Sequence, residues 1–224
     1  MARSVQRAPS LGQQVADILR QRIVRGELVA GDRLTEEALA EEFTVSRGPV
    51  RDAITRLVFE KLVEVHAPRG IYIVGLNDDD VDQLYSLRAA LEQLALERAM
   101  RVADDEKWTA MRDAVSRMND AAQTSDHPDF LAADLDFHSQ IYALAAHPRL
   151  EGAWRQYLPT FEALLEVTIN HDDDLHDSAA DHGRLYEIMR SGDVDGASRV
   201  LADHLQGARD RMTLELRSRT VSQL

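Results

Sequence analysis

Residues 34–63 read LTEEALAEEFTVSRGPVRDAITRLVFEKLV, a pattern that predicts two short helices, a tight turn between them and the start of a strand. Thr35 and Ser46 are suited to cap the two helices, because their side-chain oxygens can accept from free backbone N–H groups. Arg47 and Arg51 lie one turn apart at the exposed beginning of the second helix. This arrangement is typical of a helix-turn-helix whose second helix enters the DNA major groove by its N-terminal end.

An ordinary pair of helices with two solvated arginines would show the same pattern, but the residues that follow favour DNA binding. Residues 63–65 and 71–74 alternate in polarity like two strands, and HAPRG at 66–70 joins them. A helix-turn-helix followed at once by a hairpin with an Arg-Gly tip predicts a winged helix. The tip of such a wing can reach a phosphate or the minor groove.

Residues 13–75 resemble the N-terminal domain of GntR-type bacterial transcription regulators. The matching segments are IVRGEL, GDRLTEEALAEEF, VSRGPVRDAITRL, KLVEV and PRGIYIV. The resemblance implies operator contacts from six residues, namely Arg33, Ser46, Arg47, Arg51, Arg69 and Gly70. The chain departs from the family at three positions: Thr44 stands where the turn usually has glycine, Gly48 where Thr is common, and Ala30 where Pro is common. If the turn requires a positive φ, Thr44 is strained there.

Charge and composition divide the chain into two regions. The net charge of the 224 residues is −13, yet residues 1–76 carry 11 basic against 10 acidic residues, whereas residues 77–224 carry 15 against 29. The near-neutral first region can therefore present a basic face to DNA. Zero cysteines exclude disulfides and thiolate metal sites. No apolar run of about 18 residues occurs, and the N-terminus lacks the apolar segment of a secretory signal, so we expect no membrane span and a cytoplasmic location.

Residues 77–224 show the helical period throughout, behind a short linker at residues 75–77. Six helices are predicted, at about 78–101, 105–122, 128–146, 149–170, 178–191 and 194–217. The expected fold is mainly α: a winged helix-turn-helix of three helices and a two-stranded wing in residues 1–76, then an all-α antiparallel bundle in residues 77–224. The bundle resembles the effector-binding and dimerisation domain of FadR-type GntR regulators, the FCD domain. The matching segments are LYSLRAALEQLALERAM, DLDFHSQIYALAAHPRL, DHGRLYEIMRSGDVDGA and LADHL.

Four polar side chains occupy apolar helical faces in this bundle. Asp134 and His138 project from one face of the third predicted helix, and His182 and His204 lie on the apolar faces of the fifth and sixth. A single histidine there would most often be a hydrogen-bonded core residue, but four polar groups in one small core indicate a divalent cation that satisfies them together. Three imidazoles and one carboxylate suit Zn²⁺, with Ni²⁺, Mn²⁺ and Fe²⁺ open. That the four converge is implied by the resemblance, because many FCD domains carry an Asp-x-x-x-His pair and two later histidines.

Arg88 occupies a core-type position in the first predicted helix of the bundle. A guanidinium there needs a carboxylate, which either Glu92 one turn along or a bound ligand would supply. The resemblance favours the ligand, because FCD domains commonly hold an organic acid between such an arginine and the metal.

Together these features predict a homodimeric transcription regulator that binds a pseudo-palindromic operator on double-stranded DNA. A small carboxylate or sugar acid at the metal site is expected to modulate that binding. Two alternatives are open: a regulator whose metal is purely structural and which has no effector, and a metal-dependent hydrolase. The hydrolase is disfavoured, because the sequence has no HExxH, nucleophile elbow or phosphate loop.

Overall fold

The structure, a computed structural model, describes residues 9–66, 70–102, 105–171 and 174–222. The chain divides into two units, Met1–Leu76 and Asn77–Leu224. Helices dominate both units, and the only sheet in the described ranges is small and antiparallel. The predicted fold class, mainly α with a winged helix-turn-helix before a helical bundle, is confirmed.

The first unit contains three helices and three strands within its described residues. They are α1 (Leu11–Val24), β1 (Arg33–Leu34), α2 (Glu36–Glu42), α3 (Arg47–Phe59), β2 (Val63–His66) and β3 (Gly70–Ile73). Two of the three helices begin with the cap that the sequence offers, because Ser10 Oγ accepts from Gln13 N at 3.2 Å and Thr35 Oγ1 accepts from Ala38 N at 3.2 Å. Ser46 stands at the N-cap position of α3, but its side chain makes no cap hydrogen bond.

A buried ion pair fixes the end of α3 against α1. Arg20 is only 2% exposed, and its Nε and Nη2 donate to the two carboxylate oxygens of Glu60 at 2.6 and 2.7 Å. Burial alone would lower the pKa of Arg20, but the Glu60 carboxylate outweighs it, so the net shift is upward. Around this pair the two longer helices and the sheet enclose an apolar core that includes Leu19, Leu57 and Leu62.

The turn between α2 and α3 places Thr44 in the left-handed region, at φ +54°. The turn closes by a hydrogen bond from Val45 N to Ala40 O at 3.0 Å. A β-branched residue is disfavoured there by about 1–2 kcal/mol, because its Cβ crowds the backbone. The strain that the sequence predicted for Thr44, conditional on a positive φ, is therefore present.

The sheet has three strands in the order β1-β3-β2, not the two that were predicted. The additional strand β1 pairs antiparallel with β3, and Leu34 stands opposite Ile71. A strand of two residues is too short to show alternation in the sequence. Its position is set by burial of Leu34 in the core of the first unit.

The second unit is a bundle whose described elements follow the predicted order. They are α4 (Asp78–Val102), a 3₁₀ turn (Asp105–Trp108), α5 (Thr109–Thr124), α6 (His127–Leu144), α7 (Pro148–Asn170), α8 (His176–Ser191) and α9 (Val194–Ser222). The start of α6 is capped by Asp126, whose side chain accepts from Asp129 N, and α8 ends at Gly192 with φ +83°. No helix in the described part of the chain combines the length and the apolar character needed to cross a membrane.

Candidate functional site

The start of α3 carries two exposed arginines, as predicted. Arg47 Nη2 lies 3.0 Å from Glu37 Oε1, and Arg51 Nε donates to Glu36 Oε2 at 2.8 Å. Both acids belong to the first turn of α2. Exposed ion pairs of this kind contribute only about 0–1 kcal/mol, so phosphates or guanine edges can replace the two carboxylates at little cost.

The other residues at the start of α3 leave room for a nucleic acid. Ser46 is exposed, and its hydroxyl is not used to cap the helix. Gly48 is also exposed, and a Cβ built on it would contact only Ser46 Oγ, at 3.9 Å. Packing therefore does not require the glycine, and the helix start offers a smaller surface than the threonine of the family would.

At the wing, Arg33 packs beside Gly70. A Cβ on Gly70 would lie 3.0 Å from Arg33 Nε, and the φ of Gly70 is +123°, so both the space and the backbone favour glycine. Arg33 is exposed and stands opposite Tyr72 in the β1–β3 pair. Five of the six predicted DNA contacts are thus placed on the first unit, and Arg69 lies outside the described residues.

In the second unit, four predicted metal ligands from three helices come together. Asp134 and His138 extend from α6, His182 from α8 and His204 from α9, and one ligand atom of each lies within 4.8 Å of the others. His182 Nε2 is 2.7 Å from Asp134 Oδ2 and 3.4 Å from His138 Nε2. Two nitrogens about 2.1 Å from one ion at tetrahedral-like angles stand roughly 3.0–3.4 Å apart, so the spacing of the two histidine nitrogens fits a metal ion. The 2.7 Å between His182 Nε2 and Asp134 Oδ2 is a hydrogen-bond distance.

Two further groups orient the histidines. Nδ1 of His138 donates to Glu92 Oε2 at 2.7 Å, and Nδ1 of His182 donates to the Ser178 carbonyl at 2.7 Å. A neutral ring with its proton on Nδ1 presents the lone pair of Nε2, and both Nε2 atoms face the cluster. The sequence suggested Glu92 only as a partner for Arg88, and its bond to His138 was not predicted.

The electrostatics of the cluster favour a charged Asp134 and neutral rings for His138 and His204. Burial raises the pKa of Asp134, but the adjacent His182, with His138 and Arg88, outweighs it and holds the pKa well below its usual range. Burial lowers the pKa of His138 despite the opposing Glu92, and burial with the neighbouring histidines lowers that of His204 well below 6.5. Asp134 Oδ1 is buried without a hydrogen-bond partner among the described residues. The donor set, its charged carboxylate and this free oxygen all fit a divalent cation.

Arg88 pairs with Glu92, one of the two partners that the sequence left open, and two of its nitrogens stay without a partner among the described residues. Its Nε donates to Glu92 Oε1 at 2.6 Å, while Nη1 and Nη2 are buried and have no hydrogen-bond partner among the described residues. Burial would lower the pKa of Arg88, but the Glu92 carboxylate outweighs it and the net shift is upward. The guanidinium carbon lies 5.0 Å from the ring centroid of Phe161 and 5.5 Å from that of Trp154. Two charged donors thus lie beside a stacked pair of aromatic rings.

One small inner pocket is lined by Arg88, Asp134, His204 and Arg211, and its other lining residues are mostly apolar. Two further buried polar atoms of the described second unit, the hydroxyls of Tyr85 and Tyr142, also have no hydrogen-bond partner. Burial raises the pKa of Tyr85 to about 12 and that of Tyr142 further, so both hydroxyls are neutral donors. Sequence reasoning missed the two tyrosines, because a tyrosine on an apolar helical face is read as core.

Two family profiles match the chain. The FCD domain profile matches residues 83–207, and the profile described as bacterial regulatory proteins, gntR family, matches residues 11–73. The gluconate operon transcriptional repressors of Bacillus licheniformis and Bacillus subtilis (strain 168) are 31% and 30% identical to the chain over 160 residues. Each match covers 71% of this chain, and the chain spans 65% of the length of each repressor.

Among solved structures, the chain is similar to E. coli McbR/YncC with a TM-score of 0.72. The sequence identity is 21%, and the match covers 93% of this chain and 100% of that chain. A likeness at this identity shows the fold alone.

Proposed function

Because the chain belongs to the gntR family of bacterial regulatory proteins and carries an FCD domain, we propose that it is a transcriptional regulator controlled by a small organic acid. In this proposal residues 1–76 bind operator DNA, and residues 77–224 hold a divalent metal ion, most simply Zn²⁺, together with the acid. Such a regulator works on the chromosome and hence in the cytoplasm.

Four converging ligand atoms are the observation that supports the metal most strongly. Three separate helices supply them, and Glu92 and the Ser178 carbonyl turn two of the imidazoles so that Nε2 faces inward. An accidental group of surface acids would not show buried ligands with oriented rings. The bound ion would supply a Lewis-acidic contact for one oxygen of a carboxylate.

The acid is expected to bind beside the metal at Arg88. The free Nη1 and Nη2 can donate two parallel hydrogen bonds to a carboxylate, which is a strong, charge-assisted contact. Phe161 and Trp154 exclude water from the guanidinium and thereby strengthen that contact. An acid held this way would join α4, which carries Arg88, to the three helices that carry the metal ligands. Effector binding would then favour one packing of these helices over another.

A pseudo-palindromic operator requires two recognition helices, so we propose a homodimer assembled through residues 77–224. Light scattering at micromolar concentration should show a dimer both for the full chain and for residues 77–224 alone. A full-chain dimer that becomes monomeric in the shorter protein would assign the interface to the first unit.

The metal is tested by elemental analysis of the purified full chain and of the double variant His182→Ala/His204→Ala. Wild type should hold close to one metal ion per chain, and the double variant should hold almost none, because half of the ligand set is gone. Full metal occupancy in the double variant would place the site elsewhere in the chain.

The effector is tested by operator gel shifts and thermal shifts with a panel of carboxylates and sugar acids. Gluconate comes first, since two of the relatives are named repressors of a gluconate operon. An effector should change both operator affinity and melting temperature of the metal-loaded protein, and neither should change after chelation. If no acid acts on the metal-loaded protein while the metal still raises its melting temperature, the structural-metal alternative replaces this proposal.

The hydrolase alternative is not supported, because the chain belongs to a family of regulatory proteins and the relatives quoted are repressors.

A further inference from the structure

One of the four ligand residues reaches towards the surface. Asp134, His138 and His182 are 4%, 0% and 1% exposed, whereas His204 is half-buried. His204 lines the inner pocket that holds Arg88, and it also lines a larger cleft between α8 and α9. Ser178 and the guanidinium-bearing Arg211 line both as well, so the cleft adjoins the pocket of the ligand cluster.

The cleft has an excess of negative charge. Its charged lining consists of Asp174, Asp177, Asp181, Asp203, Arg184 and Arg211. Four carboxylates against two guanidinium groups leave it two charges negative. Asp177 and Asp181 lie one turn apart on α8, and Asp203 directly precedes His204 on α9. The exposed carboxylates thus lead to the most accessible ligand.

A glycine keeps the cleft open beside this ligand. Gly207 lies one turn beyond His204 inside α9, where glycine destabilises a helix by roughly 0.5–1 kcal/mol relative to alanine. A Cβ at Gly207 would meet only Arg211 Nη1, at the ordinary contact distance of 3.5 Å. Packing therefore does not require glycine, and what the position gains is space in the cleft.

We propose that this acidic cleft is the route by which the divalent cation reaches its buried ligands. Asp177, Asp181 and Asp203 attract the cation and bind it transiently, and His204 receives it. An excess of one sign of charge in a cleft raises the association rate of opposite ions, and with two arginines also in the lining we expect an effect near the low end of the range, about 10-fold. At the inner end, the unpartnered Oδ1 of Asp134 supplies a further carboxylate oxygen. The inference rests on the proposed metal site, and it assigns a role to residues that are not among the four ligands.

The test measures how fast Co²⁺ loads the chelator-treated full chain in a stopped-flow instrument, through its visible absorption. The triple variant Asp177→Asn/Asp181→Asn/Asp203→Asn should load about tenfold more slowly than wild type at low ionic strength, with a smaller difference at high salt. Its final stoichiometry should be unchanged. The matched control, Asp120→Asn/Glu187→Gln/Asp195→Asn, removes the same charge from exposed positions outside the cleft and should load within about twofold of wild type.

A second variant tests the route by size instead of charge. Gly207→Leu replaces glycine by a good helix former, and the leucine side chain narrows the cleft. The variant should therefore load Co²⁺ more slowly than wild type at both low and high salt. Circular dichroism melts show which variants are folded. If the triple variant does not fold, the loading rate of Gly207→Leu tests the route by itself.

Loading rates in the triple variant and in Gly207→Leu that equal those of wild type would overturn the route while leaving the metal site intact. A slowdown of the control as large as that of the triple variant would overturn it too, because the effect would then come from overall charge. If wild type takes up no Co²⁺, the proposed metal site itself fails, and the route fails with it.

Discussion

The variant Arg88→Met removes one member of a buried ion pair and leaves the other behind. Arg88 and Glu92 are 1% and 0% exposed, with 2.6 Å between Arg88 Nε and Glu92 Oε1. Breaking such a pair costs about 3–5 kcal/mol, because the remaining charge stays buried without its partner. Glu92 would keep only the hydrogen bond from His138 at 2.7 Å. We therefore expect the free energy of unfolding of the second unit to fall by this amount.

Adding Glu92→Gln should reverse much of that loss. The double variant Arg88→Met/Glu92→Gln has no orphaned carboxylate, and the amide oxygen of Gln can still accept from His138. The two changes should therefore couple by about 2 kcal/mol in a double-mutant cycle. For a unit of this size a loss of 3–5 kcal/mol corresponds to a fall in melting temperature on the order of 10 °C, and the double variant should regain about half of it.

Urea unfolding of the chelated protein, followed by tryptophan fluorescence, measures these differences. Both tryptophans, Trp108 and Trp154, belong to the second unit, and the Trp154 ring centroid lies 5.5 Å from the Arg88 guanidinium carbon. Arg155→Met is the matched control, because Arg155 pairs with Glu151 at the same helical spacing but is 72% exposed. It should change stability by less than about 0.5 kcal/mol. The buried pair does not stabilise the second unit if Arg88→Met lowers the free energy of unfolding by no more than this control does. The same conclusion follows if adding Glu92→Gln lowers that free energy further.

Because Arg88 and Glu92 are paired, a test of effector binding requires a variant that changes both residues. Glu92 accepts a hydrogen bond from His138, so a loss of Arg88 alone would disturb a proposed metal ligand as well as remove the proposed anchor for the acid. In Arg88→Met/Glu92→Gln the orphaned charge is absent, and metal binding should fall by no more than about tenfold. Acid binding should be lost, since Nη1 and Nη2 are gone.

Other changes should have smaller or more local effects. Thr44→Gly should stabilise the first unit by about 1 kcal/mol in a thermal melt, since it relieves the positive φ, and a loss of stability would contradict the strain. Arg47→Ala and Arg51→Ala should each weaken operator binding in a gel shift by about 1–3 kcal/mol if the contact is to a base, and unchanged affinity in both folded variants would remove the DNA-binding assignment. Chelation should lower the melting temperature, because four polar groups lose the ion that satisfies them, and an unchanged melt would argue against a bound metal. Stability should fall as pH rises from 10 towards 12 in an alkaline melt series, because burial raises the folded-state pKa of Tyr85 to about 12. Its contribution to stability is complete below pH 10 and is lost progressively as the pH rises through 12.

The sequence by itself determined the local features of this protein. Caps and apolar spacing gave six of the helices to within a few residues, because these signals come from neighbours three or four positions apart. The same helical spacing predicted that Arg47 and Arg51 lie at the exposed start of α3. It also predicted that Asp134 and His138 are not surface residues, because they lie on an apolar helical face. It also raised the possibility that Thr44 is strained, although only the backbone could show the positive φ.

The contacts between distant segments of the chain were decided only by the tertiary structure. His138 and Glu92 are 46 positions apart, and neither residue type nor spacing shows that they meet. The convergence of the ligands followed from resemblance, since periodicity gives the face of each helix but not which faces meet. Arg88 could be assigned to Glu92 or to a ligand from the sequence, and the geometry shows one nitrogen paired and two free. The strand β1 and the acidic cleft likewise exist only once separate elements lie side by side, because pairing and long-range charge clusters leave no periodic mark in the chain.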